Sequence, residues 1–292
     1  MNAARSVLSA LLTAPLLLTA CASGPQADAP PAPVLQAQIT WGQRDAGEHP
    51  YVGTLLFVQN GVGYYSCTGT LLSPTVMLTA GHCVEEGGNE NDVTYVSFAE
   101  DPLATRSQYG TTSEWLEEEW ILATDVVPHP NYDDYAAFPD TYDIGLVILS
   151  EAVAMETYGE LSPLGYFGTT SQARLKAQLF ESVGYGAQAW KPATSNKPIP
   201  DEYARYKGQQ RFIGVGSSIT GTQSVKFTNN PGNGNGGGGT CFGDSGGPTF
   251  LNDTNIIAAI TSFGVTANCK GNDYSFRLDT ALAQDFITPY LP

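Results

Sequence analysis

A serine hydroxyl becomes a nucleophile only when a neighbouring base removes its proton and the backbone leaves room for a substrate. Residues 240–248 (TCFGDSGGP) present Ser245 in such a setting, between Gly243 and the pair Gly246-Gly247. Those glycines permit unusual backbone angles and leave N–H groups free to face a developing oxyanion. Read alone, the stretch is equally a simple turn. Of three histidines, His82 lies in residues 78–83 (LTAGHC), after an apolar strand and beside a cysteine. A disulfide neighbour there would hold a general base still, and a purely structural imidazole fits the position too. A third segment, residues 142–149 (YDIGLVIL), opens on Asp143. An acid there either borders the strand or accepts the imidazole N–H and fixes its tautomer. Asp133, Asp134 and Asp140 compete for that role. Asp143 is preferred because an apolar run follows it directly and places it at a core edge.

The elements that must carry these residues read as strands. Residues 51–59, 65–72, 76–80, 93–98, 144–149, 178–185, 208–215, 224–227, 249–251 and 256–263 are short runs of β-branched and aromatic side chains separated by Gly, Pro, Asn or Asp. The tail, residues 280–289, is the one helix expected, with Leu282, Phe286 and Ile287 at helical spacing and Asp279 or Thr280 as cap. Many short strands and one terminal helix predict an all-β barrel or sandwich architecture. Residues 229–239 (NNPGNGNGGGG) read as loop; no P-loop Lys-Ser/Thr follows, so they are no phosphate cradle. Residues 85–119 hold ten acidic side chains and read as a solvated acidic loop, or as a calcium site using some of Glu85, Glu86, Glu90 and Asp92.

Composition removes several function classes. With 42% hydrophobic residues the chain can bury a sizeable core, so wholesale disorder is excluded. Its 29 acidic against 13 basic residues, a formal charge of −16, offer no basic face for a phosphate backbone and repel an anionic membrane surface.

Residues 1–20 read as an export signal: one charge at Arg5, then an apolar stretch from Ser6 to Leu18, shorter than the roughly 20 residues of a membrane span. Leu18-Thr19-Ala20-Cys21 resembles a bacterial lipobox, which implies cleavage before Cys21 and lipid attachment to it. An ordinary signal cut after Ala20 or Ala22 fits the same residues. Residues 21–38, rich in Ala and Pro, read as a flexible linker, with the folded part starting near Ile39. Five cysteines become four once Cys21 is lipidated. Cys67, Cys83, Cys241 and Cys269 then allow three pairings, with no C-x-x-C pair to suggest zinc.

In the order His, Asp, Ser, the motifs LTAGHC, DIGL and CFGDSGGP together resemble the trypsin/chymotrypsin family of serine peptidases. The likeness runs from about Ile39 to the C-terminus and includes HPY at 49–51, PHPNY at 128–132 and GYG at 184–186. It implies two six-stranded antiparallel β-barrels with a C-terminal helix over residues 39–292, the chain crossing between barrels near 155–175. It implies the pairs Cys67–Cys83 and Cys241–Cys269. It implies Ser245 as nucleophile, His82 as base and then acid, Asp143 as its orienting partner, and an oxyanion hole from the N–H groups of Gly243 and Ser245. Ser262 would support Asp143, with Phe263 and Gly264 lining the primary pocket; His49 and His129 match no catalytic position. Gly239 stands at the pocket base where trypsin's aspartate would confer a basic preference, and Asp273 falls on the segment matching the opposite wall. An acid there favours basic side chains, and a neutral pocket favours large apolar ones. The expectation is apolar or mixed specificity.

Activation in many members of the family uses a newly released amino-terminal isoleucine that pairs with the acid before the nucleophile, here Asp244. Residues 39–42 (ITWG) sit at about that place, but Gln38 is not the usual basic residue before the cut. Either Asp244 has another partner, or lipidation holds a dormant form until cleavage. The expectation is an exported serine endopeptidase, a cell-envelope lipoprotein or secreted enzyme. It would be a monomer acting on protein or peptide substrates, touching membrane only through Cys21, with no cofactor, metal or nucleic acid.

Overall fold

In the computed structural model, residues 39–40, 42–59, 62–84, 93–187, 202–230, 238–266 and 268–292 are described. The segments read as signal and linker, the proposed calcium ligands and most of the glycine-rich run lie outside them. After β1 (Gln43–Arg44), the strands β2 (Val52–Gln59), β3 (Val62–Leu71), β4 (Val76–Thr79), β5 (Val93–Ser97), β6 (Ile121–Pro128) and β7 (Gly145–Leu149) make the first half. Six of them close into an antiparallel barrel in the order β2-β3-β4-β7-β6-β5. Leu55, Leu71, Met77, Leu78, Val96, Leu146 and Val147 fill it, all fully buried.

The second half contains β8 (Glu160–Leu161), β9 (Phe180–Gly184), β10 (Tyr206–Gln210), β11 (Phe212–Val215), β12 (Ser224–Thr228), β13 (Pro248–Leu251), β14 (Ile256–Gly264) and β15 (Asn272–Arg277). Its sheet runs β1-β10-β9-β13-β14-β15-β12-β11, with β8 pairing β14 in parallel. Only Arg211 separates β10 from β11, so one bent strand pairs β9 with its first half and β12 with its second. That bend returns the path to its start and makes a second six-stranded barrel, as expected. Phe167, Phe180, Phe212 and Phe227 stack in its core. Burying a side chain of that size stabilises by roughly 1.5–3 kcal/mol.

Three helices were not legible in the strand pattern: α1 (Thr112–Glu119), α2 (Tyr166–Thr169) and α3 (Gln172–Ala177). The region read as a solvated acidic loop is therefore partly helical. Thr111 caps α1 by accepting from the Glu114 N–H at 3.1 Å, and Trp115 and Leu116 bury against Leu56 and Val58 on the outer face of β2. Four glutamates on an eight-residue helix hide two apolar anchors from a count of charge. Helices α2 and α3 occupy the crossover between barrels. The expected tail helix is α4 (Ala281–Ile287), capped by Thr280, whose side chain accepts from the Ala283 N–H at 3.2 Å. Its Phe286 packs on His129, 5.1 Å between ring centres.

Candidate active site

Antiparallel pairing of β4 with β7 sets the first geometry. Thr79 lies opposite Gly145, so the turn that follows β4 and the residues that precede β7 emerge at the same edge of the first barrel. His82 is on that turn and Asp143 is two residues before Gly145. A Cβ on Gly145 would stand 2.4 Å from Val84 Cγ2 and 3.0 Å from the Ala80 carbonyl oxygen, so the approach requires glycine. His82 Nδ1 lies 3.0 Å from each Asp143 oxygen, and the His82 backbone N–H donates to Oδ1 at 2.9 Å. Asp143 has no exposed surface, whereas Asp133, Asp134 and Asp140 are exposed. Burial pushes the Asp143 pKa up, but the charge on His82 and the bonds from His82 and Ser262 outweigh it and hold the carboxyl below its ordinary range.

Ser262 reaches Asp143 through an irregularity. In the β14–β15 ladder Thr261 pairs Ser275 and Phe263 pairs Tyr274, leaving Ser262 as an extra, unpaired residue. A bulge of this kind re-aims a side chain. Here the Ser262 hydroxyl donates to Asp143 Oδ2.

The nucleophile loop is anchored to the same first-barrel strand as the histidine. Cys67 of β3 is bonded to Cys83, beside His82. Its neighbour Thr68 donates its N–H to the Ser245 carbonyl at 2.8 Å and its hydroxyl to the Gly243 carbonyl at 2.8 Å. Gly243 (φ 95°) and Gly246 (φ 76°) adopt left-handed backbone that favours glycine. A Cβ on Gly246 would also fall 2.0 Å from Thr79 Oγ1. Among the described residues, neither the Gly243 nor the Ser245 N–H meets a protein acceptor. The second disulfide, Cys241–Cys269, closes the other side of this loop. Both bonds match the pairing the family resemblance implied.

Behind Ser245, Asp244 is fully buried. Gly186 donates its N–H to Oδ1 at 2.7 Å and Cys241 to Oδ2 at 2.8 Å. Burial, with the nearby Asp273 carboxyl adding repulsion, pushes its pKa up to about 8.

A cleft of about 720 Å³ brings His82 and Ser245 together with Gly243, Ser262, Phe263, Gly264 and Asp273. Gly239 does not line it. Asn229 does, and its Oδ1 stands 1.6 Å from where a Cβ on Gly239 would be. Asn229 Nδ2 donates to the Thr240 carbonyl at 2.8 Å, which fixes the amide in that position. Asp273 is buried on the wall, and its pKa is raised by burial against hydrogen bonds from Thr240, Ser275, Gln210 and the Tyr274 N–H. Sequence reasoning missed Asn229 and also Tyr135, whose hydroxyl meets Asp143. Neither carries a sequence signal beyond lying near a motif. His49 and His129 sit away from the cleft: His49 bonds Asp45 and stacks on Phe250, and His129 stacks on Tyr142.

A serine, a histidine and a buried aspartate meeting in a cleft between two β-barrels define a serine hydrolase of the two-barrel type. The family model described as Trypsin matches residues 39–287, and the chain belongs to the trypsin family of serine endopeptidases. "Serine protease 1" of Drosophila melanogaster is 27% identical over 248 residues, covering 82% of this chain and 81% of that protein. "Brachyurin" of Leptuca pugilator is 28% identical over 242 residues, 77% of this chain and 90% of that one. In fold, a solved HL collagenase matches with a TM-score of 0.59 at 20% identity, over 86% of this chain and 98% of that chain.

Proposed function

We propose that this chain cleaves peptide bonds through an acyl-enzyme on Ser245, with His82 and Asp143 completing a triad. The observation that carries the reading is the buried Asp143 held on His82 Nδ1, with Ser245 in the same cleft. Nδ1 is engaged by the carboxylate, so Nε2 is the nitrogen that acts as base. Ser245 Oγ attacks the scissile carbonyl carbon while its proton passes to His82, and the carbonyl oxygen becomes an oxyanion facing the N–H groups of Gly243 and Ser245. Collapse breaks the C–N bond, and His82 gives the proton to the leaving amine. Water then attacks the acyl carbon by the same route, returning Ser245 and releasing the acid. No step needs a metal or cofactor.

The primary pocket on this reading is mixed. Phe263 and the Cys241–Cys269 bridge give it apolar walls, and Asp273 places one acid there. The pocket takes large apolar and basic side chains, the basic ones increasingly as Asp273 ionises. The enzyme is exported and bacterial, anchored by lipid on Cys21, and a monomer acting on protein or peptide substrates. The lipobox-like residues 18–21 and the two disulfides support export. Ile39 is fully buried and Thr40 is bridged to Gly239, so the segment behind a cut at residue 38 is already seated beside the pocket.

The test is intact mass of the full chain as purified, with and without a fluorophosphonate, beside Ser245→Ala. One adduct on the wild type and none on the variant is expected. No adduct on a chain that already begins at Ile39 would overturn the assignment and leave a binding module on a peptidase fold.

A further inference from the structure

Tyr135 has no role in the reaction above, yet it touches two of its three side chains. It lies in the connection from β6 to β7. Its hydroxyl donates to Asp143 Oδ2 at 2.8 Å, lies 3.0 Å from His82 Nδ1, and is 3.4 Å from the Ser262 carbonyl oxygen. The backbone that aims it is unusual. Asp134 (φ 52°) and Tyr135 (φ 63°) are consecutive left-handed residues, a region a tyrosine rarely enters. Such residues persist where the surroundings over-determine them, and they cluster at functional sites. Here the Tyr135 carbonyl accepts from the Phe138 N–H at 3.1 Å, and the ring stands edge-on to Tyr132 and Phe263, 5.8 and 6.0 Å between centres.

We infer that Tyr135 is a positioning residue for the triad, its hydroxyl holding Asp143 and sharing that carboxylate with His82. The inference rests on the triad reading. Asp143 Oδ1 takes the His82 backbone N–H, Oδ2 takes the hydroxyls of Ser262 and Tyr135, and Nδ1 lies equidistant between the oxygens. With these donors in place no part of Asp143 reaches water. Each neutral donor draws negative charge from the carboxylate, so less remains to stabilise the charged imidazole. His82 is thereby a weaker base than Ser262 and Asp143 alone would make it, and it stays unprotonated to lower pH.

Among the described residues, the ionisable groups bonded to Asp143 are His82 from the turn after β4 and Tyr135 from the β6–β7 connection, with Tyr132 packed on Tyr135; β14 contributes the neutral Ser262. Among the described residues, no lysine, arginine or second carboxylate bonds to Asp143. Burial and the Asp143 charge push the Tyr135 hydroxyl far above its ordinary range, so it remains a donor throughout the working range.

The test is the rate of labelling by a dialkyl fluorophosphonate, on the full chain, from about pH 5 to about pH 9. Wild type, Tyr135→Phe and Ser245→Ala are compared. In Tyr135→Phe the acid limb should move to higher pH by about 0.3 to 1 unit. Labelling near pH 5.5 would then be roughly twofold to tenfold slower, and the alkaline plateau would stay within about threefold. A change by the same factor at every pH, or none, overturns the inference and leaves Tyr135 as packing. Labelling of Ser245→Ala at the wild-type rate overturns the triad reading, and this inference with it. A second readout needs no variant. The downfield proton spectrum of wild type should show a slowly exchanging Tyr135 hydroxyl with a cross-peak to the His82 Nδ1 proton. An Nδ1 proton seen without that partner also overturns it.

Discussion

Asp244 makes the stability of the uncut chain depend on pH in an unusual direction. Its pKa stands near 8 in the folded protein against an ordinary 3.8, because burial outweighs the two N–H donors it has. Between those values the folded state holds a proton that the unfolded state has released. Unfolding free energy then falls with rising pH by about 1.4 kcal/mol per pH unit. From pH 5 to pH 7 this one group should cost about 2.7 kcal/mol, roughly 5–10 °C of melting temperature for a domain of this size. The stabilisation is complete below the unfolded pKa and is gone once pH has passed the folded one. The assay is urea unfolding across that range in a Ser245→Ala background, which prevents self-digestion. Asp244→Asn should remove this group's share of the slope while losing about 1 kcal/mol for one mispaired N–H. A chain that begins at Ile39 should also lose that share if its new ammonium reaches Asp244. Equal slopes with and without the Asp244→Asn substitution between pH 5 and 7 would refute the argument, because the other titrating groups are common to both proteins.

Three further outcomes are expected. The ratio of kcat/KM for substrates with arginine over leucine at the primary position should rise with pH as the raised Asp273 carboxyl ionises, and Asp273→Asn should flatten it; the ratio cancels the titration of His82. Gly239→Asp should not install a basic preference but should destabilise by roughly 1–3 kcal/mol, since its Cβ meets the Asn229 amide. Adding Asn229→Gly should restore stability and raise activity on arginine substrates, read by denaturation and by kcat/KM. Replacing both Cys67 and Cys83 by alanine removes a cross-link spanning 16 residues and should cost about 3 kcal/mol in urea unfolding. Its kcat should fall further than that of a Cys241/Cys269 double variant, because Cys83 adjoins His82.

What was legible in the sequence was whatever a short local pattern must encode. GDSGG needs its glycines because Gly246 lies against β4 with no room for a Cβ, and LTAGHC needs its cysteine because the histidine turn is bonded to β3. What was not legible depends on register and on distant partners. The strand β6 escaped notice because its exposed face carries Thr124 and Asp125, which break the apolar run, and because it ends in proline. At the pocket base the motif position names Gly239, but no local pattern announces that Asn229, ten residues earlier, stands with its Oδ1 1.6 Å from where a Cβ on Gly239 would be.

Ser262 and Tyr135 mark the boundary between the two kinds of information. Both donate to the same oxygen of Asp143. Ser262 was predictable because it sits in a motif, although its orientation is made by a bulge in β14 that no local sequence feature announces. Tyr135 has no motif, and its orientation depends on two left-handed residues in a long connection. A catalytic residue has to be of one chemical type at one place, so it leaves a trace in sequence. A residue that only tunes its neighbour needs a donor within about 3 Å, and many positions in a flanking loop can supply one. The residues that set how strong a base His82 is are therefore those that sequence reasoning is least able to find.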